Sequence, residues 1–243
     1  MKICIYGAGA IGGYMGVMLS EGEADVSLIA RGAHLAAIQE NGLKVVFKDG
    51  SQKQQKMPAT DNPADLGPQD IVIVALKAHQ AWEVADEMKP LLGPQTVVVT
   101  AQNGLPWWYF YGFKGQYEDL RIESVDPDDR QWNAIGPERV IGCTVYPAAE
   151  IIEPGVIKHI YGDRFGIGEP TRWETERIKD LGNAMEAGGL KPRLSSSFGR
   201  GSSFGRLLLG FKNQQLRGVV DATGSTHPNL NGRGAIFSLA NTR

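Results

Sequence analysis

No stretch of this sequence could cross a bilayer as a helix: the longest wholly apolar run, Ile71 to Leu76, is far too short. No charge of one sign dominates either. Twenty-five Lys and Arg face 27 Asp and Glu, a net charge of −2, so the chain as a whole gives no electrostatic case for binding nucleic acid or an anionic membrane. Cysteine is scarce. Cys4 and Cys143 are the two, each inside an apolar, strand-like segment without a basic or histidine neighbour. That excludes a disulfide framework, offers no metal-ligand set, and leads us to expect reduced core thiols in a cytoplasmic protein. Met1-Lys2 runs straight into a strand-like segment with no h-region or cleavage site, which fits the same expectation.

What is present is an alternation of strand-like and helix-like segments, the pattern of a parallel sheet covered by helices. Lys2–Tyr6 reads as a first buried strand, and Ile11, Met15, Met18 and Leu19 then recur at helical spacing up to Gly22. Val26–Ala30 is a second strand. Leu35 and Ile38 mark a short helix ended by Asn41-Gly42. Leu43–Phe47 is a third strand, with Asp49-Gly50 as a hairpin leading to a polar edge strand. Ile71–Leu76 predicts a central strand buried on both faces. A helix with Trp82, Ala85, Met88 and Leu92 on one stripe should follow, closed by Gly93-Pro94. Thr96–Thr100 and Val140–Val145 are further strands, and Pro154-Gly155 joins two more that end near Ile167. Thr171 to Glu174 has the form of a capping box for a helix carrying Ile178, Leu181 and Met185 and stopping at Gly188-Gly189. Between Pro106 and Pro137 lies an insertion holding Trp107, Trp108, Tyr109, Phe110, Tyr111, Phe113, Tyr117 and Trp132. We expect it to fold onto the domain through its own aromatics; a lid or a dimer contact is the functional alternative.

Gly7-Ala8-Gly9-Ala10-Ile11-Gly12 matches G-x-G-x-x-G, directly after a strand and directly opening a helix. A dinucleotide needs that placement. Gly7 makes the tight turn, Gly9 lets backbone approach a pyrophosphate, and Gly12 lets helix and strand pack closely. The helix N-terminus then presents free amides and a positive dipole end to the phosphates. A glycine-rich turn without a ligand is the competing reading, and the strand–turn–helix context weighs against it. A further lack is local: Leu28-Ile29-Ala30-Arg31 has no acid where an NAD site places one for the ribose 2′-hydroxyl. Arg31 stands there instead, suited to a 2′-phosphate, so NADPH is the expected cofactor; a solvated loop arginine is the plain alternative. Lys77 ends the most apolar strand, where a lone charge calls for a ligand or solvent, and Asn103-Gly104 ends the next. A plain turn explains Asn103 equally well taken alone.

Together, Gly7 to Gly12, Arg31, Val74-Ala-Leu-Lys77 with Gln80, and Gln102-Asn103-Gly104 resemble the ketopantoate reductase (2-dehydropantoate 2-reductase) family. Gly142-Cys-Thr144, Gly155-Val-Ile-Lys-His159 and Gly168-Glu169 extend the resemblance over about residues 1–194. It implies a Rossmann-type, doubly wound, mostly parallel α/β sheet, with the glycine loop and Arg31 on NADPH and with Lys77 and Asn103 between nicotinamide and substrate. It implies reduction of 2-dehydropantoate, or a related 2-keto acid, to the hydroxy acid. Hydride delivery to a 2-keto carbon builds negative charge on oxygen, which requires a nearby proton donor. Family members supply the main acid as a lysine on the first helix of an all-helical C-terminal domain. His159 has a family counterpart, but a strand histidine is more often structural.

After Leu194 the composition changes. Ser197-Phe-Gly-Arg200 is echoed by Ser203-Phe-Gly-Arg206, and Asp221 is the only acid against six Lys or Arg, which reads as a short irregular segment in place of the helical domain. We therefore expect a cofactor domain over 1–194 and an aberrant or truncated segment over 195–243. Lys212 is the candidate for the missing lysine, since a guanidinium such as Arg206 hardly deprotonates. Three functions follow as alternatives: a working reductase, a cofactor-binding remnant without turnover, or a regulatory cofactor-binding module. A small-molecule substrate is expected, with neither nucleic acid nor membrane as partner. Homodimerisation is one way to cover the apolar face that a missing helical domain would leave.

Overall fold

The computed structural model describes residues 1–112, 114–171 and 175–194. The chain begins with β1 (Lys2–Tyr6), α1 (Ala10–Glu21), β2 (Asp25–Ile29) and α2 (Gly32–Asn41). Then come β3 (Leu43–Val46), β4 (Gln52–Gln55), β5 (Ala59–Thr60), β6 (Gln69–Val74), the single turn α3 (Ala78–Ala81) and β7 (Leu92–Ala101). The remainder is α4 (Arg130–Ala134), β8 (Val140–Val145), β9 (Ala148–Glu153), β10 (Val156–Tyr161), β11 (Arg164–Gly168), α5 (Glu176–Ala187) and β12 (Lys191–Leu194).

Eight strands form one sheet in the order β12-β11-β8-β7-β6-β1-β2-β5. All neighbours are parallel except β11 against β8. From β1 the chain winds outward to β2 and then returns to the other side at β6, so the strand order reverses between β1 and β6. Ligands of such sheets bind beyond the carboxyl ends at that reversal.

The third predicted strand leaves this sheet. Leu43–Val46 starts a second, four-stranded sheet in the order β4-β3-β10-β9, whose β3–β4 hairpin is the one Asp49-Gly50 announced. Helix α1 lies between the two sheets, which explains why residues 12–19 are all buried although a surface helix would carry a polar face. Glycine makes the double contact feasible. A Cβ on Gly13 would run into Ile157 of β10 and Leu43 of β3, and one on Gly16 would stand 3.0 Å from Leu28 of β2.

The other face of the main sheet is covered differently from expectation. In place of one long helix after β6, α3 passes into 3-10 turns over Trp82–Val84 and Asp86–Leu91. Pro90 has no amide to continue an α-helix, and the buried side chains are Ala81, Val84, Ala85, Met88 and Leu91. Trp82 is partly exposed under the Arg130 guanidinium, and Leu92 already belongs to β7. The aromatic insertion completes the cover. Trp107, Trp108 and Ile135 join Tyr6, Val72, Val74 and Val98 in one core cluster, and Trp132 meets Trp107 and Tyr111 edge to face. Its aromatics thus fold onto the domain, as the plainer reading had it; Phe113 lies outside the described residues.

Two smaller expectations are corrected. Pro154-Gly155 turns β9 into β10, and β11 follows as a third strand of the group. Helix α5 is entered through Thr175, not Thr171; the Thr175 hydroxyl donates to the Glu169 carboxylate, and positions 172–174 of the supposed capping box lie outside the described residues. Ile178, Leu181 and Met185 of α5 pack with Phe165 and Ile167 of β11 as the periodicity implied.

Candidate functional site at the carboxyl ends of the sheet

The four polar features chosen from the sequence fall on four adjoining strands. Asn103 follows β7, Lys77 follows β6, the glycine loop follows β1, and Arg31 follows β2. Each strand delivers its residue to the same edge because the pairing is parallel throughout.

The three glycines have three different surroundings. Gly7 has φ +99°, a backbone that side chains rarely adopt, and a Cβ there would lie 2.6 Å from Leu76. A Cβ on Gly12 would meet the carbonyl oxygen of Gly7, so the helix can rise this close to the strand only without one. Gly9 has φ −71°, and a Cβ on it would meet nothing within 4 Å. Neither backbone strain nor protein packing asks for glycine at this position. A ligand lying against the loop would.

The loop's amides divide into two groups. Gly7 and Ala8 both donate to the Ile29 carbonyl at 3.1 and 2.9 Å, so these two residues shape the loop without offering a donor to a ligand. The first turn of α1 begins its ladder with Gly13 donating to Gly9 at 2.7 Å, which leaves the amides of Ala10, Ile11 and Gly12 ahead of it pointing out of the N-terminus. His34 was not foreseen. On α2, it contacts the Ala8 carbonyl and the Gly155 amide and so links the loop to the second sheet.

Arg31 is the residue before α2 and its side chain is 67% exposed, within 3.5 Å of the Glu87 carboxylate. Glu87 also accepts the phenol hydrogen of the buried Tyr6 at 3.2 Å. Burial, reinforced by the Glu87 charge and that hydrogen bond, pushes the Tyr6 phenol far above its ordinary range, so it stays a donor.

Lys77 precedes α3 and is exposed, so its ammonium is solvated and not under the buried-charge penalty that its strand suggested. Asn103 is more constrained than a turn residue need be. Its carboxamide donates to the Val145 carbonyl at 3.0 Å and accepts the Val145 amide at 3.1 Å, tying the end of β7 to the end of β8. Beside it a void of about 10 Å³ is lined by Thr100, Gln102 and Cys143, and the buried Gln102 Nε2 has no partner among the described residues. Both cysteines are free, and burial pushes each thiol up to about 12. His159 is accounted for structurally: it stacks on Tyr14 with ring centroids 4.6 Å apart and contacts the Gly162 carbonyl. Lys212 lies outside the described residues. No group of three or more His, Cys, Asp or Glu among the described residues could hold a metal, and no helix among them is long and apolar enough to cross a membrane.

A 2-dehydropantoate 2-reductase of Mesorhizobium japonicum is 49% identical over 192 residues, which is 79% of this chain and 59% of that relative. The chain thus spans about three-fifths of that relative's length. The crystal structure of a Ralstonia solanacearum protein described as a candidate ketopantoate reductase superposes with a TM-score of 0.80 at 38% identity, covering 92% of this chain and 68% of the other. A D-mandelate dehydrogenase solved with NADH and anilino(oxo)acetate has a TM-score of 0.62 at 25% identity, covering 80% of this chain and 57% of that one. The model of the family described as ketopantoate reductase PanE/ApbA matches residues 3–172. On the fold, the glycine loop and this match, the chain belongs to the ketopantoate reductase family of nicotinamide-dependent oxidoreductases.

Proposed function

We propose that the chain is an NADPH-dependent reductase of 2-dehydropantoate, or of a related 2-keto acid, with residues 1–194 as its cofactor domain. The observation that carries this is Gly9: a glycine required by neither φ nor packing, beside free first-turn amides and between Arg31 and Lys77 on neighbouring strand ends. Gly9, Ala10, Ile11 and Gly12 would hold the pyrophosphate, within a loop shaped by Gly7 and Ala8. Arg31 would hold the 2′-phosphate, as a planar guanidinium suits that group.

NADPH, when bound, supplies a hydride for the 2-keto carbon. The protein's part is to fix the keto acid and to manage the proton on its oxygen. Lys77 brings a solvated ammonium to the edge of the reversal crevice, able to neutralise a carboxylate or to give a proton to the developing alkoxide. Asn103 holds the β7 and β8 ends in register through Val145 and places a carboxamide on the same side. A lysine from the segment beyond residue 194, with Lys212 as the candidate, would complete the acid. The name of the Mesorhizobium relative supports the choice of 2-dehydropantoate. Free, buried Cys4 and Cys143 accord with a cytoplasmic setting.

Calorimetric titration with NADPH and an NADPH-oxidation assay with 2-dehydropantoate test this together. Binding with turnover is expected. Binding without turnover would leave a cofactor-binding module, and no binding at millimolar nucleotide would remove the reading altogether.

A further inference from the structure

Arg31 does not stand alone at the adenosine end of the site. Nη2 of its guanidinium lies 3.5 Å from Oε2 of Glu87, a residue 56 positions further on that the 3-10 segment after β6 brings alongside β2. The carboxylate is anchored, since the same Oε2 accepts the hydroxyl of Tyr6, which is 2% exposed at the end of β1. Any phosphate that bonds this guanidinium therefore arrives beside a fixed negative charge, which opposes it and competes for the cation. The sequence leaves the end of β2 without an acid; the fold supplies one from elsewhere. An acid at this place is what sites for the unphosphorylated dinucleotide use to accept the ribose 2′-hydroxyl.

We propose that Glu87 is a specificity-determining residue: it competes with the 2′-phosphate for Arg31 and offers an acceptor to a free 2′-hydroxyl, so that the chain takes both NADPH and NADH with only a modest preference for the former. This rests on the dinucleotide-site reading given above and sharpens it. Arg31 and Glu87 are 67% and 54% exposed, so the competition is screened by water and its expected effect is moderate.

The test is calorimetric affinity for NADPH and NADH, with 2′-AMP and 5′-AMP as fragment probes, at one fixed ionic strength. In Glu87→Gln, which keeps the size and a partner for Tyr6, NADPH and 2′-AMP should bind about two- to five-fold tighter. NADH and 5′-AMP should bind no tighter, so the NADH-to-NADPH ratio of Kd rises. In an Arg31→Met background the same change should tighten NADPH binding distinctly less, because only the direct repulsion of the phosphate is relieved and no cation remains to compete for. An unchanged ratio in Glu87→Gln, or an equal gain in the Arg31→Met background, overturns the proposal while the dinucleotide site stands. Failure of the wild type to bind either dinucleotide removes the site itself and this proposal with it.

Discussion

The imidazole Nε2 of His34 lies 2.8 Å from the carbonyl oxygen of Ala8, so a side chain of α2 holds the first glycine turn from behind. Its other nitrogen, Nδ1, accepts the Gly155 amide at 3.0 Å. A backbone N–H can only donate, so Nδ1 is the bare nitrogen and Nε2 carries the hydrogen given to Ala8. His34→Ala removes both bonds and leaves a partly buried carbonyl and amide unpaired. Stability should fall by about 1–3 kcal/mol in urea titration, and NADPH affinity should fall with it. Unchanged affinity would show that the loop keeps its shape without this support.

Gly9 and Gly12 should separate ligand from fold. Gly12→Ala drives a methyl into the Gly7 carbonyl, a backbone atom that cannot move aside, so a thermal melt should show a large loss or no folded protein. Gly9→Ala has room and an ordinary φ, so its Tm should match the wild type while NADPH affinity falls tenfold or more. A Gly9→Ala protein with full NADPH affinity would place the pyrophosphate elsewhere.

Lys77→Met removes an exposed ammonium that no ion pair among the described residues uses, so stability should hold within about 0.5 kcal/mol. If Lys77 serves the proton on the keto oxygen, kcat/KM should fall by about 100-fold or more. Retention of activity in a folded variant would move that role to another residue.

Glu169 has a side chain only 2% exposed, and Arg177 meets it with Nε at 2.8 Å and Nη2 at 2.5 Å, also reaching the Glu138 and Val140 carbonyls. Arg177→Met strands much of that buried charge. Chemical denaturation should show a loss of about 2–3 kcal/mol, below the full cost of a wholly buried pair because Arg177 is 31% exposed.

Cys4 and Cys143, with thiols pushed up to about 12 from 9.0 by burial, should be inert to an aromatic disulfide reagent at pH 8 in the folded protein and react on unfolding. Between pH 9 and 12 the unfolded chain has lost these protons while the folded one keeps them, so their contribution is whole below 9 and declines as pH rises towards 12. Replacing both with Ala or Ser should flatten that alkaline decline.

The strand–loop–helix unit around Gly7 to Gly12 was legible because one local element sets its chemistry: a tight turn, an open approach and a helix N-terminus occupy six consecutive residues. Strands with continuous apolar runs, such as Ile71 to Val74, were legible for a related reason, since burial on both faces shows in composition alone. The helix expected after β6 was not, because Pro90 and the insertion's Trp107 and Trp108 share the cover of that face and only packing reveals the division. Nor did Leu43 to Val46 announce a second sheet; its partner β10 lies more than a hundred residues away.

The sequence by itself determined the glycine turn that opens α1, which family the chain resembles, and that the thiols are core residues, because each depends on neighbours in the chain or on local polarity. The tertiary structure decided what surrounds that loop: His34 behind Ala8, Val145 held by Asn103, α1 between two sheets, and Glu87 against Arg31. These are encounters between segments up to 121 residues apart, and no local pattern encodes them, because hydrogen bonds and charges act through distance in space and not along the chain.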